Sequence, residues 1–283
     1  MAISAQAVKE LRERTGAGMM DCKRALTEAG GDLDEAVKIL RTKGLAAAAK
    51  KAHRTASDGV VVLCGDHRRM AMLELNCETD FVAKNEDFRG FATSLAQQVL
   101  TTGVSEVEAL KVAICIGHDE HTVAQAISQK IATIGENIVL SRAALLEAGA
   151  GNIVASYLHG GGKIGVVVEG SDSLGEGVLH DVAMHVAASE PRFVRRDEVT
   201  DDLLASEREI ALKQVIEQGK PEHIAQRIVD GKMEKFFEQE VLLEQPFAKD
   251  ASKSVGEYLR EQGGETARVV RFVRFRLGEF PGA

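Results

Sequence analysis

The sequence has 283 residues, of which 45% are apolar and 28% charged, with a net charge of −8. That length suits about two domains with a sizeable core, and the composition excludes a disordered, collagenous or rod-like coiled-coil chain. Aromatics make up 4%, with no Trp, so a base-stacking platform is not expected, and the acidity argues against direct nucleic-acid binding.

The charge is unevenly placed. Residues 1–54 hold 11 Lys and Arg against 7 Asp and Glu, a net +4, which leaves −12 on the remainder. Such a basic head is either a solvated helical surface or a docking module for an acidic partner. Ser4 is placed to cap a first helix that presents Val8 and Leu11 on one side. Thr15-Gly16-Ala17-Gly18 breaks it. A second helix carries Met19, Cys22, Ala25, Leu26 and Ala29 at helical spacing and ends at Gly30-Gly31. Asp32 and Glu35 have capping-box-like spacing ahead of a third helix with Ala36, Val37, Ile39 and Leu40, and Gly44 is expected to stop it. The stretch LAAAAKKAH then reads as a connecting helix. Three such short helices make a mini-domain with a small core.

The hydrophobic period then changes. Gly59 to Asn76 reads as two strands around the polar turn Gly65-Asp66-His67-Arg68. A helix rich in Phe88, Phe91, Leu95 and Val99 follows, another lies near Val123–Ile134, and Glu136–Leu146 reads as a third strand. The pattern then recurs. Asn152–Gly160 and Lys163–Gly170 form a second hairpin about Gly160-Gly161-Gly162, a helix carries Val182, Met184, Val186 and Ala187, and Ala267–Leu277 alternates as a late strand. The economical reading is an α+β fold. A helical module, 1–54, precedes two related subdomains, 55–146 and 147–283, each with a three-stranded antiparallel sheet.

An antiparallel helical hairpin is expected inside the second subdomain, at about 199–237. Leu203, Leu204, Ile210, Ala211 and Val215 make one stripe, Ile224, Ile228, Val229 and Phe236 the facing one, and Gly219-Lys220-Pro221 the turn. It either packs flat on the body or projects to bind another chain, a second copy included.

Chemistry-bearing motifs are scarce. Cys22, Cys64, Cys77 and Cys115 form no close pair, which suits a reduced cytoplasmic setting rather than a zinc or redox site. No apolar run reaches the ~18 residues of a membrane helix, and Lys9 and Glu10 precede any leader-like apolar run, so no signal peptide is expected. No Walker A, strand-following GxGxxG or GxSxG motif is present. Glycines 160–162 precede a strand and read as a hairpin turn, not a phosphate cradle. His180 and His185 are five apart, which does not set two zinc ligands on one helical face; one inside and one outside is expected. No catalytic residue, metal or cofactor is therefore expected.

One segment stands out. Thr79-Asp80-Phe81-Val82 sits where a strand meets a helix. In one reading Asp80 is the helix N-cap and Phe81 packs inward as a staple. In the other, Phe81 is an exposed aromatic wedge beside a carboxylate, suited to invading another protein's metal or phosphate site.

Taken in order, these segments resemble the bacterial elongation factor Ts family. VKELRERTGAGMMDCKRAL and GGDLDEAVKILRTKG resemble its opening ubiquitin-associated-like module, and NCETDFVAKN its signature. KIATIGENI and SYLHGGGKIGVVVE resemble its core, and HVAASEP, EQPF and SVGEYL later segments, through about Gly278. The resemblance implies a guanine-nucleotide exchange factor for elongation factor Tu, the GTPase that carries aminoacyl-tRNA, with no covalent chemistry of its own. It implies that Thr79, Asp80, Phe81 and Val82 disturb the Mg²⁺ site of Tu, which weakens GDP binding. It further implies contacts from Arg12, Met19, Met20 and Lys23 to the GTPase domain of Tu, and from Ile134, Gly135 and His159 to its more distal part. Many members continue past the last strand into a helix that also touches Tu; here the sequence runs from Leu277 to Ala283, and that contact is not carried over. The rival readings are an adaptor whose basic module binds a ribosomal or ubiquitin-like surface, and an enzyme with an unrecognised site.

Overall fold

In a computed structural model, residues 3–117, 121–217 and 222–279 are described. Ser4 accepts the Ala7 amide and starts α1 (Ala5–Thr15), which Gly16 ends in a left-handed conformation. Helix α2 (Met19–Glu28) buries Cys22, Ala25 and Leu26 against Leu11 and Ala36. Met19 does not join that stripe. It and Met20 stand 58% and 66% exposed on the first turn of α2.

Asp32 caps α3 (Leu33–Lys51) through the amides of Asp34 and Glu35. The expected stop at Gly44 is not observed: α3 runs through it, and the supposed connecting helix is its second half. A glycine inside a helix costs about 1 kcal/mol, which the following alanine run and packing on a neighbour outweigh. A Cβ at residue 44 would touch the Ser128 carbonyl and the Ala132 methyl of α7 (Val123–Ile134). Gly44 therefore serves close approach of two helices, and Lys51 extends the contact by donating to the Ile131 carbonyl at 3.3 Å.

Strands β1 (Asp58–Gly65) and β2 (Arg69–Cys77) form the first hairpin. After it come the one-turn α4 (Asp80–Ala83), α5 (Glu86–Thr102), an unanticipated six-residue α6 (Val107–Val112), α7, and β3 (Val139–Glu147). The second half repeats the scheme with β4 (Asn152–His159), β5 (Ile164–Ser171) and α8 (Gly175–Ser189). Helices α9 (Asp201–Glu217) and α10 (Glu222–Glu240) follow. A two-stranded ribbon not anticipated from sequence, β6 (Pro246–Phe247) with β7 (Asp250–Ser254), then leads into α11 (Val255–Gly263) and β8 (Val269–Arg276). The antiparallel sheets have orders β1-β2-β3 and β4-β5-β8.

Period-two alternation gives each sheet two buried faces. Val60, Val62, Leu73 and Leu75 face α5 and α7, while Val166 and Val168 face α8 and α11. The opposite faces meet each other through Val61, Met72, Val154, Val167 and Phe275. The layers run helices, sheet, sheet, helices. Contact between the sheets is close enough that a Cβ at Gly165 would lie 2.6 Å from Val61 Cγ1.

Each sheet holds one glutamate–arginine pair with a buried carboxylate, and both pairs reach across this interface in the same way, Arg142 being largely buried and Arg271 half exposed. In the first sheet Glu74 lies opposite Arg142 and accepts from its Nε at 2.8 Å. In the second, Glu169 lies opposite Arg271 and accepts from its Nε at 2.7 Å. A β-bulge follows each glutamate. Asn76 and Asn152 add a bond to Glu74 and Glu169 within the same sheets, and four further bonds are exchanged between the halves. Glu74 accepts the Gly278 amide at 2.9 Å, and Arg142 donates to the Arg276 carbonyl at 2.7 Å. Glu169 accepts the Gly149 amide at 2.8 Å, and Arg271 donates to the Glu147 carbonyl at 3.1 Å. Burial alone would raise the Glu169 pKa, but the Gly149 amide, Asn152 and Arg271 outweigh it and hold it below the ordinary carboxylate range.

The hairpin has a core of its own, made by Ala211, Val215, Ala225, Val229 and Met233 with Leu204, Ile228 and Phe236 beside it. Ile210 departs from the expected stripe and is 46% exposed. Its register places it off the seam that Ala211 and Val215 define at helical spacing. The expected turn Gly219-Lys220-Pro221 and the side chain of Ile224 lie outside what is described.

Candidate functional site

Strand β2 carries the chain to a corner and ends at the buried Cys77, whose thiol donates to the Thr79 carbonyl at 3.2 Å. Burial, with the Glu136 and Asp58 charges, pushes that thiol up to about 12, so it stays protonated and unreactive. Thr79 is the N-cap of α4, with its hydroxyl accepting from the Val82 amide. This corrects the reading of Asp80 as N-cap and Phe81 as an inward staple. Asp80 occupies the first helical position, where a negative charge complements the helix N-terminus. There it pairs with Lys84 at 2.6 Å, and that hydrogen bond holds its carboxyl below the usual range. Val82 and Ala83 take the two inward positions against the first-sheet core. Phe81 is turned out, 82% exposed. Single exposed apolar residues are common; aromatic ones are enriched at protein interfaces, and Phe81 offers one on a braced corner.

A four-residue helix has no stability in isolation, and this one is braced from α7 and from α5. The Glu136 carboxylate accepts the backbone amides of Glu78 and Thr79, each at 3.0 Å, and the Thr79 hydroxyl at 2.6 Å. In return Glu78 accepts the Asn137 amide at 2.7 Å. Ile134 and Gly135 immediately precede this brace; Ile134 packs on the core and Gly135 is the exposed left-handed cap of α7. Arg89, on α5, approaches the Ala83 carbonyl at 3.5 Å and donates to the Gly161 carbonyl at 3.0 Å. It thereby joins the end of α4 to the 160–162 turn, which also accepts the Val61 amide at Gly162. His159 is exposed at the foot of that turn, with its Nδ1 2.9 Å from the Tyr157 hydroxyl.

Thr79–Val82, Ile134-Gly135 and the His159 turn are thus linked through Glu136 and Arg89. Arg12, Met19, Met20 and Lys23 form a second exposed group, on α1 and α2. Sequence reasoning missed Glu136 and Arg89. Glu136 did carry a signal: an acid just beyond a helix C-terminus opposes the helix dipole, so a specific partner is needed to hold it there.

The histidines on α8 are structural. His185 is buried, with its two ring nitrogens engaged by Gln245 at 2.8 Å and the Ala248 amide at 3.1 Å, and burial lowers its pKa. His180 is half-buried against the Ser156 carbonyl. Among the described residues no cluster of His, Cys, Asp and Glu is arranged to hold a metal ion, and no helix is long and apolar enough to cross a membrane.

Comparison with known proteins reaches most of the chain. The family described as Elongation factor TS matches residues 78–279, starting at the residue before Thr79. Curated proteins named Elongation factor Ts align with nearly the whole chain. One from Clostridium kluyveri is 44% identical over 286 residues, covering 98% of this chain and 93% of that protein. One from Aquifex aeolicus is 44% identical over 289 residues, covering 98% and 99%. One from Clostridium botulinum is 45% identical over 287 residues, covering 98% and 93%. With a braced, outward-facing Phe and its neighbouring carboxylate inside the matched region, the chain belongs to the elongation factor Ts family.

Proposed function

We infer that the protein binds elongation factor Tu in the cytoplasm and speeds GDP release by inserting the Phe81 corner beside the Mg²⁺ and phosphate site. The observation that carries this is Phe81, large, apolar and exposed on a corner whose backbone is already fixed. A pre-ordered wedge loses little conformational entropy on docking, so its burial is available to distort the partner. Asp80, ionised at neutral pH beside Lys84, brings a carboxylate to the same place. Such a group competes with phosphate oxygens for Mg²⁺, a hard cation that favours oxygen ligands.

The energetics follow from linkage: a protein that binds nucleotide-free Tu more tightly than GDP-bound Tu must loosen GDP to the same degree. A ten-thousand-fold effect needs about 5.5 kcal/mol of differential binding. Burying one Phe supplies roughly 1.5–3 kcal/mol, so wider contacts contribute the rest. The exposed groups on the head, Arg12, Met19, Met20 and Lys23, and those linked to the corner, Ile134, Gly135 and His159, are assigned that part. No covalent step, cofactor or nucleic acid enters the process. The test is release of fluorescent GDP from Tu with and without the protein. Marked acceleration supports the reading; tight binding to Tu with unchanged release would make the protein an adaptor instead.

A further inference from the structure

We propose that Glu136 is a positioning residue for exchange, setting the angle at which α4 presents Phe81. The proposal rests on the wedge reading of Phe81. Its basis is the economy of the corner. Helix α4 has four residues, and Phe81 makes almost no contact with the body. What orients Phe81 is therefore the backbone of residues 78–80, where the Cys77 thiol holds the Thr79 carbonyl and one carboxylate, Glu136, holds the Glu78 and Thr79 amides and the Thr79 hydroxyl.

The two oxygens of Glu136 divide the task. Oε2 accepts the consecutive amides of Glu78 and Thr79, which fixes the chain as it leaves β2. Oε1 accepts the Thr79 hydroxyl. Because that hydroxyl spends its proton on Glu136, its lone pairs turn to the Val82 amide and cap α4. The carboxylate thus sets both the direction of entry into the helix and the helix's first hydrogen bond. Hydrogen bonds to an ionised acceptor are about twice as strong as neutral ones, which suits a brace that must resist a partner's surface. The support is itself anchored. Gly135 closes α7 onto the Ile131 carbonyl, the carbonyl that Lys51 of α3 also reaches, and Asn137 returns a bond to Glu78.

A misplacement of about 1 Å in a functional group can cost on the order of a hundredfold in rate. The maximal rate of GDP release in Glu136→Ala is therefore expected to fall by at least about tenfold. The concentration of Tu·GDP giving half the maximal rate should stay within roughly twofold, because the wider contacts are untouched. Glu136→Gln keeps an oxygen for the two amides and should recover part of the rate; it also serves if the Ala variant does not fold. The decisive comparison is the cycle with Phe81→Ala. If Glu136 acts through Phe81, adding Glu136→Ala to Phe81→Ala lowers the maximal rate by much less than Glu136→Ala does alone, the remainder being the displaced Asp80.

Independent, multiplicative losses would overturn the proposal, as would a full maximal rate in Glu136→Ala or a loss confined to the half-saturating concentration. Slow release by Phe81→Ala with full speed in Glu136→Ala would remove the positioning role alone. Full speed in Phe81→Ala would remove the wedge reading, and the proposal with it.

Discussion

Phe81→Ala separates a functional side chain from a structural one. In the free protein Phe81 is 82% exposed, so its truncation removes little buried surface. Exposed substitutions of this kind usually change stability by no more than about 0.5 kcal/mol. In the complex, burying the exposed part of a phenyl ring is worth about 2 kcal/mol, which corresponds to roughly a 30-fold loss in rate if the contact forms fully in the transition state for release. The ratio of the two effects is the informative quantity. Stopped-flow release of fluorescent GDP gives the rate, and thermal unfolding followed by circular dichroism gives the stability. A large fall in melting temperature together with normal release per folded molecule would show that Phe81 belongs to the core. The account of the corner would then be wrong at its foundation.

Arg142→Ala leaves the fully buried Glu74 carboxylate without its cation; a broken buried pair costs about 3–5 kcal/mol, to be read from urea unfolding. Glu169 is held below its unfolded pKa, so its contribution is complete above about pH 4.3 and is lost as pH falls through the lowered value. Glu169→Gln should be less stable at pH 7 and show a shallower acid decline below about pH 4 in melts across that range. Replacing residues 205–233 with a short Gly/Ser linker removes most of the hairpin's separate core but leaves the Arg196 to Glu234 pair. Release of GDP is expected to stay within a few-fold, with any change confined to self-association by sedimentation; a collapse of exchange in a folded monomer would make the hairpin a primary contact with Tu.

Most of the fold could be read locally because the hydrophobic period switches cleanly between 3.6 and 2. Helix α7 and the strands of both hairpins lie where spacing placed them. What spacing missed was decided at a distance. Gly44 carries a local stop signal, but α7, some eighty positions on, makes it a packing position. Thr79 and Asp80 are adjacent residues and both good caps; the choice is made by Glu136, 57 positions away. Glu74 is conspicuous in the run MAMLELNC, yet its partners Arg142 and Gly278 lie 68 and 204 positions along the chain. The short α6 and the β6–β7 ribbon have too few residues for a period to register.

The exchanged bonds of the two glutamate–arginine pairs also bear on how the body meets another molecule. Each carboxylate keeps its arginine within its own sheet and takes one further amide from the other half, so sliding one sheet over the other would cost both glutamates a donor at once. The Phe81 corner belongs to one half and the His159 turn to the other. Arg89 and the Val61 amide pin the two points to each other directly, so their spacing is set before any partner arrives. A surface gripped by both must take up the mismatch itself, and strain on contact falls on the partner rather than on this chain.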